Sequence, residues 1–575
     1  MRKTKPFFGF VKLGSLVLFF FTLVVSELAW ITYGSIEGVL GTISFFLLTI
    51  LLIFPWIIPF IGIPLGILEK ISIYDIYNFV LSLSKIPSSW LTIIWYWTIV
   101  IISSLIGLLL SITIVIILMK RKYKLKKADY NIALVNCNII DGKKESSIIE
   151  NGVILIKNVV EEGKTPGLIE KVGNIESLKT PKGYKTIDLK GQYILPGLIN
   201  AHCHLTGSGK PTKLMGLSDK WMEILVNFLD TFIGKIFLKN LMRKNAMNSL
   251  YAGVTTLNTM SDPLFVDLEI RDEINEGKII GPRLLCSGKG IHITGGHGGV
   301  MAHTVDSTVE IRKAVRKNLR EKVDFIKILS TGGVMDARAI GEAGRPQMTV
   351  KEIKTACFEA HRGNLLVATH CESTKGIEEA LEGGVDSIEH GAEIPDDLVP
   401  KFKNNPNSLR GYTILTPTLS AGMGLATLPK EETKITNEKY ENAKIIAKGM
   451  IKALQNAYKS DIKLNLGTDA SVPYSTHYDV WKEIKYWIHY TNMSPQEAIY
   501  HATLGNAENL RIEKVTGSIT KGKFADLQVV PENPYENINN LGEVSMVIIK
   551  GLLIKNPKVQ KIKNLKEIYP IEIYD

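Results

Sequence analysis

The sequence predicts an α/β fold in which a (β/α)₈ barrel is flanked by β-rich segments and preceded by transmembrane helices. Three observations lead to this prediction. Short apolar runs alternate with helical patterns between residues 193 and 512, which indicates βα units and a parallel sheet. Stretches rich in β-forming residues lie on both sides of that region. Long stretches with almost no charge fill the first 119 residues.

The barrel prediction depends on eight apolar runs that are typical of strands. They lie near residues 193–204, 254–260, 283–292, 325–330, 365–372, 387–390, 413–419 and 464–469. Eight βα units in roughly 300 residues fit a closed barrel, whose active site gathers at the C-terminal ends of the strands. On both sides of the barrel, β-rich segments with turn-like interruptions predict a small sheet, and we expect these flanks to pair with each other. The flanking segments are 131–140, 152–160, 184–189, 525–530 and 544–553.

The first 119 residues predict a membrane-embedded region. Residues 38–68 and 90–119 are runs of 31 and 30 residues without a charge, longer than the roughly 20 that cross a bilayer. The earlier run 13–36 carries only Glu27. A cleaved signal peptide is the alternative for that run, but no small-residue cleavage pattern follows it. Proline residues interrupt the second run. Residues 71–84 are a further candidate crossing, which together with the three runs gives the four crossings that we favour.

The net charge of +11 does not indicate nucleic-acid binding once it is divided along the chain. Residues 1–119 contribute +2, the basic cluster from Lys120 to Lys127 contributes +6, and only +3 is left for the rest. A basic cluster directly after an apolar run is typical of a cytoplasmic anchor beside anionic lipid. We therefore interpret 120–130 as a juxtamembrane linker, and we predict a multi-pass protein of the cell membrane with its catalytic domain in the cytoplasm.

Candidate metal ligands stand at the ends of the predicted strands. All 11 histidines lie between His202 and His501. His202 and His204 are two positions apart on a strand, so both imidazoles can reach one metal ion. A single pair of this kind is weak evidence, but further metal-competent groups close later apolar runs: Lys327, His370, His390 and Asp469. The pattern of five strands, each ending in such a group, predicts a metal site.

Several motifs carry a resemblance to a known family. They are HCHL at 202–205, DFIKILSTGGVM around Lys327, THCES, DSIEHG, GTDAS and the late GSITKGKFADLQVV. In kind and order they resemble the amidohydrolase superfamily, and within it the imidazolonepropionase-like and prolidase-like metal-dependent hydrolases. The resemblance covers the chain from about Ala128 to Gly551. It implies a barrel at 193–512 and a composite β-sandwich formed by 131–192 and 513–575, and it does not cover the first 119 residues.

The resemblance also implies two divalent metal ions, usually zinc, that are bridged by a carboxylated lysine. Carried over by position, His202, His204 and Asp469 would hold one ion. The second ion would be held by His370 and His390, with carboxylated Lys327 between the two. The chain departs from the family at Asn200, where the family usually has aspartate two residues before the first histidine, which puts the orientation of that histidine in doubt.

Three residues have candidate roles in the chemistry itself. Asp469 is placed to accept a proton from water and pass it to a leaving nitrogen, whereas the alternative for its GTDAS motif is a helix N-cap. His297 lies in a glycine-rich loop, ITGGHGGVMAH, and His477 follows Asp469; both are candidates for substrate binding. An ordinary flexible loop is the alternative for His297. For Lys327 the alternative is a solvated or acid-paired lysine.

These observations predict a membrane-anchored metal-dependent amidohydrolase that cleaves a carbon–nitrogen bond in a small substrate. Xaa-Pro dipeptides and N-acyl amino acids are the leading substrate classes, on the resemblance. The alternative enzyme is a hydrolase of cyclic amides, imidazolones or lactones. A membrane scaffold with a relict barrel is disfavoured because the whole ligand set is present. A homo-oligomer is left open.

Overall fold

The computed structural model describes Gly107, residues 130–159, 167–211, 219–568 and Pro570. The chain divides into two compact units, Met1–Lys124 and Leu125–Asp575. The predicted transmembrane region 1–119 and linker 120–130 lie almost wholly outside the described residues. Within the described part of the chain, no helix is both long and apolar enough to cross a membrane.

The strands of the second unit are β1 to β17 in chain order. Their bounds are Asn131–Ile139, Ile149–Lys157, Leu168–Asn174, Tyr184–Asp188, Tyr193–Pro196, Leu198–Cys203, Val254–Thr259, Arg283–Cys286, Gly290–His292, Ala302–Thr304, Ile326–Leu329, Val367–Cys371, Ser387–His390, Ile414–Thr416, Leu527–Val530, Met546–Ile549 and Leu552–Lys555.

Helices α1 to α13 connect and cover these strands. Their bounds are Asp219–Asp230, Phe232–Tyr251, Val266–Asn275, Thr308–Arg320, Val350–Arg362, Thr374–Gly383, Val399–Lys403, Leu419–Thr427, Lys430–Thr433, Asn437–Lys459, Val480–Thr491, Pro495–Tyr500 and Asn506–Asn509. Several begin at a side-chain cap, as the sequence chemistry requires. Thr349, for example, forms a capping box with Glu352 at the start of α5.

Both flanks of the chain contribute to one sheet, in the order β17-β16-β15-β5-β1-β2-β3, with β4 also paired to β1. The C-terminal strand β15 lies between β5 and β16 and pairs antiparallel with both. Side chains from both ends of the sequence fill its core, among them Ile132, Ile154, Leu527 and Ile548. Strands from both flanks therefore form a composite sheet around a shared hydrophobic core.

The apolar run 193–199 reads as one strand in the sequence, but the structure divides it. Tyr193–Pro196 is β5 of the composite sheet, and β6 starts at Leu198. The break falls at Gly197, where an added Cβ would lie 2.1 Å from the Thr255 side chain. The run looks continuous in sequence because both of its halves are buried, although in different layers.

The parallel strands form two sheets, β6-β7-β8 and β10-β9-β11-β12-β13-β14. The predicted third strand is split, because β8 pairs with β7 whereas β9 pairs with β11. The predicted eighth strand has no regular strand assignment, but its residues bond to both sheets. Leu464 forms an isolated parallel β-bridge with Leu415 of β14. Leu466 accepts a 3.0 Å hydrogen bond from the Ala201 N–H in β6. The fold is thus α/β with two joined parallel sheets; the closed barrel stays a prediction that these bonds favour.

The composite sheet should be sensitive to losses in its shared core. Leu527 in β15 is 1% exposed, so Leu527→Ala should lower the free energy of unfolding by about 2–5 kcal/mol through lost burial and a cavity. Ile175→Ala is the control, because Ile175 is 53% exposed and its loss should cost at most about 0.5 kcal/mol. Denaturant unfolding followed by circular dichroism measures both; equal losses would contradict the shared core.

Candidate active site

His202, His204 and Asp469 form a first group of candidate ligands at the end of β6. The alternation of a strand turns both imidazoles to one face. Asp469 arrives from a distant part of the chain, and its backbone N–H donates to the carbonyl oxygen of His202 over 2.8 Å. Asp469 Oδ1 lies 3.1 Å from His204 Nε2 and 3.5 Å from His202 Nε2. One ligand atom from each residue lies within 4.8 Å of the others, a spacing that one metal ion can span.

His370, Glu372 and His390 form a second group, and all three are buried. His370 lies in β12 and His390 ends β13, so the parallel pairing brings them together. The rings of His202 and His390 are 5.0 Å apart, which makes the two groups neighbours. Glu372 was not among the sequence candidates. Its position two residues after His370, on the same face of an extended segment, is the signal that could have identified it.

Two of the candidate ligands have strained backbones. His390 has φ 71° and Asp469 has φ 54°, in the left-handed region that non-glycine residues rarely adopt. Such conformations cost of the order of 1–3 kcal/mol and persist where the surroundings over-determine them. Thr418, also left-handed at φ 47°, places its Oγ1 2.7 Å from His390 Nδ1. The strain therefore coincides with the contacts that orient these side chains.

Lys327 lies in β11 with its side chain in the interior, where it is 2% exposed. Burial lowers the pKa of its amine, although the charges of Glu389, Asp469 and Glu372 act in the opposite direction. No hydrogen-bond partner for its Nζ exists among the described residues. The lysine is therefore neither solvated nor paired in the way an ordinary structural lysine would be.

Buried polar atoms of this region without a hydrogen bond in the described structure include Lys327 Nζ, Glu372 Oε2 and Asp469 Oδ1, the last of which has ion-pair contacts with the imidazoles of its group. An unpaired buried polar atom costs about 1–3 kcal/mol. Burial, together with the charge of Asp469, raises the pKa of Glu372 well above its ordinary value. Imidazole nitrogens and carboxylate oxygens are ligands that suit zinc. The residues present thus fit divalent cations, which would satisfy the unpaired oxygens.

Glu389 is a second carboxylate that the sequence candidates did not include. It is fully buried, and its Oε2 accepts a 2.7 Å hydrogen bond from His202 Nδ1. Ser387 Oγ donates to its other oxygen over 2.5 Å. Burial opposes ionisation, but the interactions with His202 and Lys327 prevail and lower the pKa of Glu389. This hydrogen bond fixes the His202 ring with Nε2 on the side of Asp469, 3.5 Å from Asp469 Oδ1.

Asn200, where the family usually has aspartate, connects β6 to the segment that carries Asp469. Its Nδ2 donates to Thr468 Oγ1 over 2.8 Å. Its Oδ1 accepts hydrogen bonds from the backbone N–H groups of His202 and Thr468, at 3.2 and 3.1 Å. An aspartate could not supply the donor in the first of these bonds. Asn200 therefore orients the backbone of this region through three hydrogen bonds.

His297 lies beside the second ligand group. Its ring centroid is 4.1 Å from that of His370, and its Nδ1 is hydrogen-bonded to Asp336. Its side chain remains 23% exposed, so it lies at the solvent side of the buried ligands. An added Cβ at Gly333 would lie 2.6 Å from the His297 ring, which shows how closely the neighbouring loop packs against it.

His477 is buried beneath the loop that follows His204. Its Nε2 donates to the Gly207 carbonyl oxygen over 2.8 Å, and burial is the main cause that lowers its pKa to about 4. Asn245 Nδ2 donates to the same carbonyl and to that of Leu205, at 2.8 and 2.7 Å. The observed contacts of His477 are thus with the backbone of this loop, and its predicted contact with substrate stays a prediction.

Residues 193–554 match the amidohydrolase family, a span of more than half the chain. The chain belongs to the amidohydrolase family. A similar solved structure is that of a Bifidobacterium longum protein provisionally named a prolidase, with 33% identity, a TM-score of 0.65, and coverage of 76% of this amidohydrolase and 97% of the other chain. The structure of a Xaa-Pro dipeptidase with methionine bound in its active site is 28% identical, with a TM-score of 0.62. The match covers 74% of this amidohydrolase and 100% of the dipeptidase chain.

A curated relative is the ochratoxinase of Aspergillus niger. It is 24% identical over 395 residues, which cover 64% of this amidohydrolase and 76% of ochratoxinase. The solved ochratoxinase structure shares the fold, with a TM-score of 0.59 at 22% identity. The family and these hydrolase relatives make this amidohydrolase an enzyme that hydrolyses carbon–nitrogen bonds.

Glu389 should control metal affinity through His202. Glu389→Gln removes the charge that holds the Nδ1 proton, and the loss of such a supporting carboxylate typically weakens metal binding about 10–100-fold. Competition with a chelating fluorophore for zinc measures the affinity. Glu393→Gln is the matched control, because the Glu393 side chain is 60% exposed and pairs only with Lys452. Equal zinc affinities for both variants would exclude this role.

Proposed function

We propose that this amidohydrolase cleaves the amide bond of a small substrate, an Xaa-Pro dipeptide or an N-acyl amino acid, at the two buried ligand groups. The observation that carries the proposal is the set of buried atoms on Lys327, Glu372 and Asp469 that have no hydrogen bond within the described chain, beside buried imidazoles. Folded proteins rarely leave so many buried polar atoms unpaired at one place without a functional reason.

In this proposal, His202, His204 and Asp469 would hold one divalent cation. His370 and His390, with Glu372 close by, would hold another. Zinc is the metal that the donor set fits best. The cations would polarise the amide carbonyl of the substrate and lower the pKa of a water molecule. Lys327 would supply a further anionic ligand: its amine would form an N–C bond to CO₂, release a proton and become a carbamate.

The geometry around Lys327 supports that carbamate. A neutral amine is the form that reacts with CO₂, and burial lowers the Lys327 pKa in this direction. A protonated amine would instead repel two divalent cations. Each ligand group has one carboxylate and two imidazoles, so an anion from Lys327 would supply a fourth ligand of the number that zinc usually takes.

Asp469 is the residue that we propose moves the proton. Burial opposes its ionisation, but its interactions with His202 and His204 prevail and hold its pKa well below the usual value. The carboxylate can therefore accept a proton from the attacking water and deliver it to the leaving nitrogen. We assign substrate binding to His297, because its bond to Asp336 leaves Nε2 for a carboxylate or carbonyl group of the substrate.

The substrate class is supported by two kinds of relative. One is named a Xaa-Pro dipeptidase, and another is named ochratoxinase. A screen of the full-length, metal-loaded protein against dipeptides and N-acyl amino acids would test the proposal. Release of a free amino acid from one of these classes is the expected result, and hydrolysis confined to lactones or cyclic amides would contradict it.

We also propose that the catalytic unit is held at the cytoplasmic face of the cell membrane. The support is in the sequence: uncharged runs of 31 and 30 residues, followed by six basic residues between Lys120 and Lys127. Runs of this length can cross a bilayer, and basic residues directly after them favour the cytoplasmic side.

Asp469→Asn should leave the fold intact and reduce hydrolysis by roughly 10²–10⁴-fold, because the amide cannot accept the proton. Steady-state hydrolysis of the best substrate, with circular dichroism and elemental analysis of the same sample, measures this. Asp461→Asn is the control, since Asp461 is exposed in a turn after α10. Near-normal turnover by a folded, metal-loaded Asp469→Asn variant would exclude the assignment.

Lys327→Ala should reduce the metal content from about two ions per chain to about one, because it removes the bridging anion. Elemental analysis of dialysed protein gives the count without any activity measurement. The exposed Lys313 supplies the control variant, Lys313→Ala. A wild-type protein with a single ion that Lys327→Ala retains at full activity would show that Lys327 is only structural.

A further inference from the structure

Large apolar side chains are exposed on the helical hairpin between β6 and β7, which consists of α1 and α2. We call residues 224–237 the apolar tip. Within it, five large hydrophobic side chains are between 48% and 77% exposed: Ile224, Phe228, Phe232, Ile233 and Phe237. Only six others of this kind occur in the rest of the described chain, and they are spread over more than 280 residues. The tip is therefore the stretch of the described chain in which exposed large apolar side chains are most concentrated, and exposed apolar surface of this kind marks interaction sites.

The fold does not need these side chains for its own packing. Buried residues further along α2 supply the core contacts, with Leu238, Met242 and Leu250 at most 2% exposed. Exposing several phenylalanines to water carries a cost of about 25 cal/mol for each Å² of apolar surface. A covering partner would remove that cost.

The apolar tip has a fixed shape. Thr231 caps α2 by accepting a 3.1 Å hydrogen bond from the Gly234 N–H. A Cβ atom on Gly234 would lie 2.0 Å from the Phe228 carbonyl oxygen, so the two helices meet closely at the turn. The exposed rings are thus presented together on a rigid corner, which lowers the entropic cost of binding.

The chemistry of the apolar tip favours lipid over a protein partner. Protein interfaces concentrate their energy in tryptophan, tyrosine and arginine, whereas the exposed side chains here are phenylalanine and isoleucine. Charge beside the tip is balanced, since Lys235 Nζ pairs with Asp230 over 2.8 Å. Insertion would therefore depend on apolar burial rather than on attraction to anionic headgroups.

The sequence also limits how far the catalytic unit can move from a bilayer. Eleven residues, 120–130, separate the last apolar run from β1. Even fully extended, they span at most about 40 Å. A unit tethered so closely to lipid meets the bilayer surface far more often than a freely diffusing partner.

We propose that the apolar tip inserts into the interfacial layer of the bilayer, an inference that rests on the proposed membrane anchoring. The hairpin also forms part of the catalytic surroundings, because α1 packs against the turn Gly299–Met301, just after His297. Contact of the tip with lipid sets this part of the site at the membrane surface. Among the proposed substrates, this location of the site favours N-acyl amino acids, because their apolar acyl chains partition into lipid.

Fluorescence quenching in reconstituted full-length protein tests the contact. Phe232→Cys and Phe237→Cys are labelled with an environment-sensitive fluorophore and placed in phosphatidylcholine vesicles with brominated acyl chains. The five native cysteines are all buried, so labelling is directed to the new site. Phe358→Cys is the matched control, since Phe358 is 59% exposed on α5. We expect blue-shifted emission and several-fold stronger quenching at both tip positions than at the control.

Equal quenching at all three positions would overturn the inference. So would a blue shift without quenching together with cross-links between chains, which would identify a second copy as the occupant. An alkaline carbonate wash of the unlabelled protein tests anchoring separately. If the protein stays in the vesicles but the fluorophore at the tip is not quenched, only the tip contact is rejected. If the wash releases the protein, but labelled protein added to brominated vesicles is quenched at the tip, the anchor is rejected and the tip contact is supported.

Discussion

Hydrogen bonds to the carbonyl oxygen of His202 hold the candidate active site together. The backbone N–H groups of Thr468 and Asp469 donate to it over 3.1 and 2.8 Å. The Asn200 side chain reinforces the same junction across 268 residues of sequence. Because these bonds fix the backbone on both sides, Asp469 faces the two imidazoles despite its strained conformation. The relative positions of the three residues in the first ligand group thus depend on the hydrogen bonds between β6 and the segment that carries Asp469.

The interior of the site contains many lone pairs and few protons. Burial is the largest of the effects that lower the pKa values of His370 and His390 well below the ordinary range, so both rings are neutral. Burial likewise favours the neutral amine of Lys327. A neutral imidazole has only one N–H to donate, so its second nitrogen and the remaining carboxylate oxygens keep lone pairs that have no donor. A divalent cation can accept these lone pairs, and the family to which the chain belongs is one of hydrolases.

The sequence predicted those features that depend on periodicity. Alternation along a strand put His202 and His204 on one face, and strand ends located His370 and His390. The prediction that Lys327 ends its strand was wrong, because Lys327 is the second residue of β11. Glu372 was missed although it follows His370 at the two-residue spacing of one strand face. Glu389 was missed because a single carboxylate within a strand has no distinctive pattern, and only tertiary packing shows that it is buried. The division of 193–199 into two strands was also hidden, since hydrophobicity does not tell which layer buries a residue. The predicted membrane segments lie, except for Gly107, outside the described residues.

The composite sheet has a consequence for the synthesis of the protein. Asn158, at the end of β2, donates a hydrogen bond to the carbonyl oxygen of Gly551, which lies 393 residues further along the chain. At a translation rate of about 5–20 residues per second, roughly 20–80 s pass before the second partner is made. During that interval β5 lacks its neighbour β15, and its apolar edge is open to wrong pairings. The nascent chain therefore passes through a state in which the composite sheet has its N-terminal strands but cannot yet close its core.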